Sequence, residues 1–235
     1  MTEKTEKTWK VVGFILGTIL IPTIAVLATL GIIHRPTPKP AIVAKIKQGE
    51  TRNLPFGDYA WRVLDVQNDR ALLITEDIIE KRPYYDELTD VTWETCTLRG
   101  YLNGNFFYGN FSAQEQALIL EITNANLDNQ WYGTNGSNPT KDKVFLLSIA
   151  EVVRYFGDSG QLKNNNPDSE YWIGDQYSSE RVAKFNNGGF WWWLRSPGYY
   201  PFRAAIVDTG GYVGLNGNYV GDREGGVRPA LWLNL

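Results

Sequence analysis

FWWWLRSPG at residues 190–198 and GGVRPALWLNL at residues 225–235 are the stretches that decide the fold of this chain. Three consecutive tryptophans are too costly to leave in water, so these blocks are expected to be core or binding surface. If the first block is extended, Trp192 opposes Trp191 and Trp193, so that one face is core and the other is a candidate ligand surface. The closing strands are predicted at residues 190–195, 204–208, 212–215 and 227–233, with hairpin signals at 208–211 and 216–218.

The run between the two blocks is rich in tyrosine, asparagine, arginine and glycine. These are the residue types that recognition loops favour. An apolar frame that holds such a loop set is typical of a binding module and not of a catalytic pocket. The predicted ligand-contact residues are Tyr199, Tyr200, Phe202, Arg203, Tyr212, Asn216, Asn218, Tyr219, Asp222 and Arg223.

The chain resembles the bacterial domain-of-unknown-function family sixty-two-seventy-three. Members commonly carry WWLRSPG, a segment of the form AA-x-V…G-x-V, and GVRPALW, which match residues 192–198, 204–213 and 226–232 here. Residues 93–106 and 143–148 match as well, so the resemblance covers residues 57–235. It implies no activity, because the family has no established function.

A more distant similarity is to C-type-lectin-like domains, as in formylglycine-generating enzymes and the variable proteins of diversity-generating retroelements. These proteins share a related tryptophan- and arginine-containing ending. The resemblance implies a fold whose closing strands carry loops that form the ligand surface, and it is an analogy of fold and not of function.

Local patterns elsewhere predict both strands and helices. Strands are expected at residues 59–66 and 71–75 around an Asn68-Asp69 turn, and a short apolar run of strand length covers 144–147. A helix is expected over 95–107, and capping boxes begin at Ser112 and Ser148. The predicted fold class is α+β: a C-type-lectin-like domain with small antiparallel sheets, two or three helices and long loops, preceded by one transmembrane helix.

The N-terminal region carries an uncharged run over residues 11–33, which is long enough to span a bilayer. An uncleaved anchor is favoured over a cleaved signal peptide, since the run exceeds the usual apolar region of such peptides. The predicted organisation is a cytoplasmic tail at 1–10, a transmembrane anchor at 11–33, a proline-containing stalk at 34–48 and a C-type-lectin-like domain at 49–235. Flanking charges do not decide the orientation. The preferred topology is a single-pass protein of the cell membrane with an extracellular C-terminal domain.

The overall composition excludes several classes of partner and compartment. The net charge is -3 and no basic patch is present, which argues against nucleic acid. A single cysteine rules out an intrachain disulfide and disfavours a eukaryotic secreted lectin. Nine tryptophans and thirteen tyrosines are many for 235 residues. Such numbers occur in sugar-binding proteins, but filling the core of a loop-rich domain accounts for most of them.

The residues of acid–base and metal chemistry are sparse, so no catalytic residue, cofactor or metal is predicted. His34 is the single histidine, which removes histidine-based catalysis and histidine-ligated zinc from the domain. Cys96 is interpreted as a buried small residue at a helix start rather than as a nucleophile. The carboxylates that could act in pairs are more often solvated groups, and they are Asp86, Glu87, Asp90, Glu94, Asp168 and Glu170.

Three further groups leave alternatives open. Residues 164–170 loosely resemble the calcium loop of C-type lectins, but a polar turn is the preferred interpretation. Arg195 and Arg228 are suited either to bidentate anion recognition or to holding carboxylates and carbonyls inside the fold. Their apolar neighbours favour the internal role.

Taken together, these patterns predict a non-enzymatic, membrane-anchored recognition module at the bacterial cell surface. Its partner is expected to be a cell-surface carbohydrate or protein, with the membrane contacted through residues 11–33. One alternative is an envelope scaffold or sensor domain that binds a partner protein. Another is a divergent enzyme, either of the formylglycine-generating type or hydrolytic.

Overall fold

The computed structural model describes residues 41–164 and 172–235. The α-helices are Ala41–Lys47 (α1), Thr97–Tyr101 (α2), Phe107–Asn110 (α3), Ala113–Gln116 (α4), Ile149–Tyr155 (α5) and Ser178–Arg181 (α6), with a π-helical turn at Leu102–Phe106 and a 3-10 turn at Gln161–Lys163. The strands are Leu54–Phe56 (β1), Tyr59–Gln67 (β2), Arg70–Thr75 (β3), Glu80–Lys81 (β4), Ile119–Leu120 (β5), Ile122–Asn124 (β6), Thr140–Asp142 (β7), Trp172–Ile173 (β8), Ala183–Phe185 (β9), Gly188–Phe190 (β10), Trp192–Pro197 (β11), Arg203–Val207 (β12), Val213–Tyr219 (β13), Gly226–Val227 (β14) and Ala230–Asn234 (β15).

Two sheets organise the described part of the chain. A five-stranded sheet has the order β1-β2-β3-β15-β5, and a six-stranded sheet has the order β4-β14-β11-β12-β13-β8. The pairing is antiparallel except between β11 and β14, and β9–β10 and β6–β7 form separate two-stranded ribbons. The last strand, β15, lies inside the first sheet, so the C-terminal block links the two sheets and the prediction that it closes the fold is confirmed.

The tryptophan block runs into β11, in which Trp192 and Trp193 lie on opposite faces, whereas Trp191 directly before the strand is only partly buried. Trp192 and Trp193 are fully buried. Trp191 and Trp193 meet edge to face with 4.8 Å between ring centroids, while Trp192 contacts Phe156. The predicted alternation of the three rings is therefore confirmed. Trp193 on the second face is buried in the core, so it does not line a ligand surface, while Trp191 on that face stays partly exposed.

The predicted helix starts are present, although the helices are short. Ser112 and Ser148 each complete a capping box, with Glu115 and Glu151 returning a hydrogen bond to the cap backbone. The helix that begins after Ser112 ends at Gln116, because the next residues pair as β5 in the first sheet. The expected helix over residues 95–107 runs from 97 to 110 as α2, a π-helical turn and α3.

Two of the three predicted turns are present, and the third falls at an irregularity within a strand. Asn68 and Asp69 both have positive φ between β2 and β3, as a tight hairpin requires. Residues 208–211 likewise turn between β12 and β13. The hairpin predicted at 216–218 lies within β13 instead. Gly217 in this strand has φ +68°, and an added Cβ would lie 2.2 Å from the carbonyl oxygen of Ala204. The β12–β13 register is irregular at this point, between Ala204 and Ile206.

The segment before the first strand belongs to the folded domain. α1 buries Ile42, Val43 and Ile46. The proline-containing stalk predicted for residues 34–48 is therefore corrected from residue 41 onward, because apolar residues at i, i+1 and i+4 place one face of this helix on the core. The apolar run at 144–147 is fully buried, but it joins the sheets through one bridge, Phe145 to Ala230, and not as a strand.

The predicted fold class needs a correction. The described residues form a mixed α and β domain, made mostly of strands in small sheets. No helix within residues 41–164 and 172–235 is both long enough and apolar enough to cross a membrane. The transmembrane anchor predicted at 11–33 lies outside the described residues. The single-pass membrane location with an extracellular C-terminal domain therefore has no support in the structure and is withdrawn.

Candidate functional site

A row of aromatic rings lies at one end of the six-stranded sheet. Neighbouring ring centroids are 4.6 Å apart for Tyr132 and Tyr199, 4.4 Å for Tyr199 and Tyr200, 5.2 Å for Tyr200 and Phe202, and 6.0 Å for Phe202 and Tyr219. The last two contacts are stacked in nearly parallel planes. Tyr199, Tyr200 and Tyr219 are 43%, 47% and 46% exposed. We call these five residues the tyrosine ridge.

The backbone between β11 and β12 holds the centre of the ridge in a tight turn. The Tyr199 N–H donates to the Asn216 carbonyl at 3.0 Å, and the Arg203 N–H donates to the Tyr200 carbonyl at 2.9 Å. Gly198 is required here, since an added Cβ would lie 2.5 Å from the Asn216 oxygen. The ridge is therefore held by sheet backbone and is pre-organised for contact.

Arg203 supports one end of the ridge. Its guanidinium lies 4.3 Å from the centroid of the Tyr219 ring, and its Nη1 donates to the Gly217 carbonyl at 3.2 Å. A cation placed over an aromatic ring is attracted by the ring's electron-rich face. Arg203 thus orients Tyr219 and places a positive charge against the ridge.

A second loop, residues 125–139, carries Tyr132 to the ridge. Asn129 is buried, and its side-chain amide donates to the carbonyls of Pro197 and Leu215 at 2.9 and 3.0 Å. The Thr134 hydroxyl donates to the Tyr199 carbonyl at 2.9 Å. Only the fold shows which residues of this loop reach the site.

The predicted contact residues fall into separate groups. Tyr199, Tyr200, Phe202, Arg203 and Tyr219 come together at the ridge, and the adjoining residues Asn216, Asn218, Asp222 and Arg223 lie in or just after β13. The Asn218 amide donates to the Asp222 carboxylate at 2.8 Å, so this pair stabilises the turn after β13.

Tyr212 does not belong to the site, although it is 46% exposed. It precedes β13 at the opposite end of the β12–β13 hairpin, about 16 Å away by the length of a five-residue strand. Its ring packs against Gly174, where an added Cβ would meet it at 2.4 Å. Its inclusion among the ligand-contact residues is therefore corrected, because β12 separates the two loops that the sequence places close together.

A small cavity opens beside the ridge. Its walls are residues 125–131, 148–150, 162 and 195–197, and its volume is about 70 Å³. Trp131 and Pro197 line it, and they precede Tyr132 and the Gly198–Tyr199 turn in the chain. We call it the loop pocket, and nothing in the sequence pointed to it.

Arg195, in the wall of this pocket, forms a buried ion pair. Its Nη2 donates to Glu151 Oε1 at 2.9 Å, its Nη1 contacts Glu151 Oε2, and Nη1 also donates to the Leu146 carbonyl at 2.8 Å. Burial raises the pKa of Glu151, but the Arg195 charge and the hydrogen bonds from Arg195 and Ser148 outweigh burial and hold that pKa below its usual value. The internal role favoured for Arg195 is confirmed.

Arg228 is also internal. It is fully buried and donates to the carbonyls of Thr75, Arg181 and Glu76 at 2.9–3.1 Å. Burial, followed by the nearby Arg62 charge, lowers the Arg228 pKa to about 9. The guanidinium lies 5.0 Å from the Trp192 ring centroid, so it joins the two family blocks inside the core.

The candidates for chemistry do not assemble into a catalytic group among the described residues. Cys96 is buried and caps α2, its sulfur accepting from the Arg99 N–H, and burial raises the thiol pKa to about 12. The interpretation of Cys96 as a buried residue at a helix start is thus confirmed. Asp86, Glu87 and Asp90 are exposed, and within the described ranges no three His, Cys, Asp or Glu side chains gather where a metal could be held. His34 and most of the loop at 164–170 lie outside those ranges.

Comparison with known proteins gives one match. The model of a family described as Domain of unknown function (DUF6273) matches residues 68–235. No curated protein and no solved structure matches the chain, so the expected relationship to C-type-lectin-like domains is not shown. The matched residues make up more than half of the sequence and include the ridge, the loop pocket and both arginine blocks. The chain therefore belongs to the DUF6273 family.

Proposed function

We propose that this protein is a non-enzymatic recognition module that binds a carbohydrate through the tyrosine ridge. The observation that carries the proposal is a fixed row of contacting aromatic rings with three tyrosines exposed by nearly half. Tyrosine offers a large, stiff contact area together with a hydroxyl that hydrogen-bonds.

The size of the ridge favours a small ligand over a protein partner. Taking about 200 Å² for a whole tyrosine side chain, the three exposed rings offer roughly 270 Å². A stable protein interface buries about 800 Å² on each partner. A few sugar rings match the ridge better than a protein surface does.

A glycan array probed with the full chain tests the proposal. The variant Tyr199→Ala/Tyr200→Ala/Tyr219→Ala removes three aromatic contacts worth about 1 kcal/mol each, so affinity for the bound glycan is expected to fall about 100-fold. Tyr212→Ala is the matched control, since Tyr212 is equally exposed but lies at the other end of the hairpin.

Three results would count against the proposal. One is binding that survives the triple substitution, and another is an equal loss in the Tyr212 control. The third is a triple variant that unfolds, which would mean that the ridge serves the core. A protein partner captured through the same tyrosines would replace the carbohydrate by a protein ligand.

A further inference from the structure

Two polar atoms in the wall of the loop pocket have no hydrogen-bond partner within the described part of the chain. They are Arg195 Nε, a donor, and Asn126 Oδ1, an acceptor. Their residues are only 4% and 8% exposed, so water does not readily satisfy them. Both residues line the loop pocket, and Arg195 Nη2 lies 3.5 Å from the carbonyl oxygen of Ala125, which directly precedes Asn126. Buried polar atoms of this kind are costly unless something pairs with them.

The orientation of the Asn126 side-chain amide is fixed by the hydrogen bonds of its Nδ2 atom. Its Nδ2 donates to the Asn138 carbonyl at 2.8 Å and to Thr140 Oγ1 at 3.2 Å. The Thr140 hydroxyl uses its own proton on Asp142 at 2.7 Å, so it has to accept from Asn126. A flipped amide would place its oxygen against two acceptors. The side of Asn126 that remains unpaired is therefore an acceptor.

The unpaired Nε–H of Arg195 is better suited to a neutral acceptor on a ligand than to an anion. Both oxygens of Glu151 already engage the guanidinium and neutralise its charge. An anionic ligand would therefore gain little from an arginine whose charge Glu151 already balances, whereas a neutral carbonyl oxygen needs only a hydrogen-bond donor. The pocket accordingly offers one donor and one acceptor to an uncharged partner.

The remaining wall combines apolar and polar residues, and the space is small. Trp131, Ile149 and Pro197 contribute apolar surface, as do Leu127, Ala150 and Leu162. A volume of about 70 Å³ corresponds to about five water-sized spheres. This is room for a small planar group and not for a sugar ring. A secondary amide with a methyl group supplies an acceptor oxygen, a donor N–H and an apolar end.

We propose that the loop pocket binds the acetamido group of an N-acetylated sugar whose ring lies against the tyrosine ridge. The amide oxygen accepts from Arg195 Nε, the amide N–H donates to Asn126 Oδ1, and the methyl group packs on the apolar wall. Both residues line the pocket but the two atoms expose almost no surface, so binding requires the exposed loop segment around Leu127 to shift. The inference rests on the proposed carbohydrate function and names its ligand class.

The test compares two tetrasaccharides that differ only at C2. Titration calorimetry of the full chain with the β-1,4 tetramer of N-acetylglucosamine and with the β-1,4 tetramer of glucose should give at least about tenfold tighter binding to the acetylated one, as two hydrogen bonds imply. Ala150→Leu fills the pocket without removing a hydrogen-bonding side chain and should abolish the preference. Arg154→Leu is the matched control, because it adds the same side chain to an exposed position of the same helix.

The outcomes separate this inference from the proposed function. Equal affinities that still depend on the ridge tyrosines would overturn the pocket assignment and leave carbohydrate binding in place. Binding of neither tetramer would also overturn it, while the glycan array decides the wider function on its own. Tighter binding of an N-acetylated peptide would replace the sugar by a peptide. If Ala150→Leu fails to fold, the wild-type chain is tested instead by NMR for contacts between the acetyl methyl group of the bound sugar and Ile149. The absence of these contacts refutes the proposal.

Discussion

Replacing Glu151 by alanine leaves the guanidinium of Arg195 buried without its carboxylate. Glu151 serves twice, as the acceptor of both Arg195 Nη atoms and as the capping-box partner of Ser148. Removing one member of a buried ion pair costs about 3–5 kcal/mol, because the other charge stays out of water. Losing the helix cap costs about 1 kcal/mol, and the two losses overlap since both arise from one carboxylate.

The expected result is a free energy of unfolding lowered by about 4 kcal/mol. In a domain of this size that corresponds to a melting temperature lower by about 8–16 °C. The measurement is urea unfolding followed by tryptophan fluorescence, supported by calorimetry, on the full chain.

The second capping box of the same chain supplies the control. Glu115 caps Ser112 and accepts from the Gly57 N–H at 2.9 Å, but it pairs with no arginine in the part of the chain that the structure describes. Glu115→Ala should therefore cost only about 1–2 kcal/mol. If the two alanine variants lose the same stability, the buried charge of Arg195 contributes nothing and the reasoning is refuted. Arg195→Met/Glu151→Met should recover most of the loss, because no buried charge is left unpaired.

Three other predictions follow from single residues. The pKa of Glu151 is lowered in the folded chain, so ionised Glu151 stabilises the fold above the unfolded pKa of about 4.3. This stabilisation is lost as the pH falls through the folded pKa. The urea midpoints at pH 6 and pH 3 should therefore differ more in the wild type than in Glu151→Gln. Cys96 is buried with a thiol pKa raised to about 12, so iodoacetamide at pH 8 should label it only in urea, and rapid labelling of the native chain would contradict its capping role. Gly211→Ala should lower the free energy of unfolding by about 3 kcal/mol, because φ is +81° and the new Cβ would lie 1.8 Å from the Ser178 carbonyl oxygen. The control is Gly109→Ala, where the new Cβ would meet no atom within 4 Å. It should leave the thermal unfolding temperature unchanged or raise it.

Local chemistry accounts for the parts of this fold that the sequence predicted well. The capping boxes at Ser112 and Ser148 depend on residues three apart, and the Asn68-Asp69 turn depends on two residues that tolerate positive φ. The burial of the tryptophan block follows from side-chain hydrophobicity alone. Such signals need no knowledge of distant residues.

The candidate site could be predicted only in part, for a physical reason. The composition of residues 199–223 indicated a recognition surface, and five of the ten predicted residues meet at the ridge. Exposure and residue type are alike in Tyr212 and Tyr219. Which of them joins the ridge depends on the direction of β12 and β13, which no short-range pattern encodes.

The sequence by itself determined that the two tryptophan-containing blocks contribute to the core, where several helices and turns begin, and that an aromatic, glycine-spaced segment lies between those blocks. The tertiary structure alone decided that Asn129 and Tyr132 join this segment, that Arg195 pairs with Glu151, and that a pocket lies beside it whose wall holds two polar atoms without a partner among the described residues. These features join residues 44 to 86 positions apart in the chain. They exist only after the two sheets and the 125–139 loop have packed, because a pocket is a property of surfaces that meet and not of any one segment.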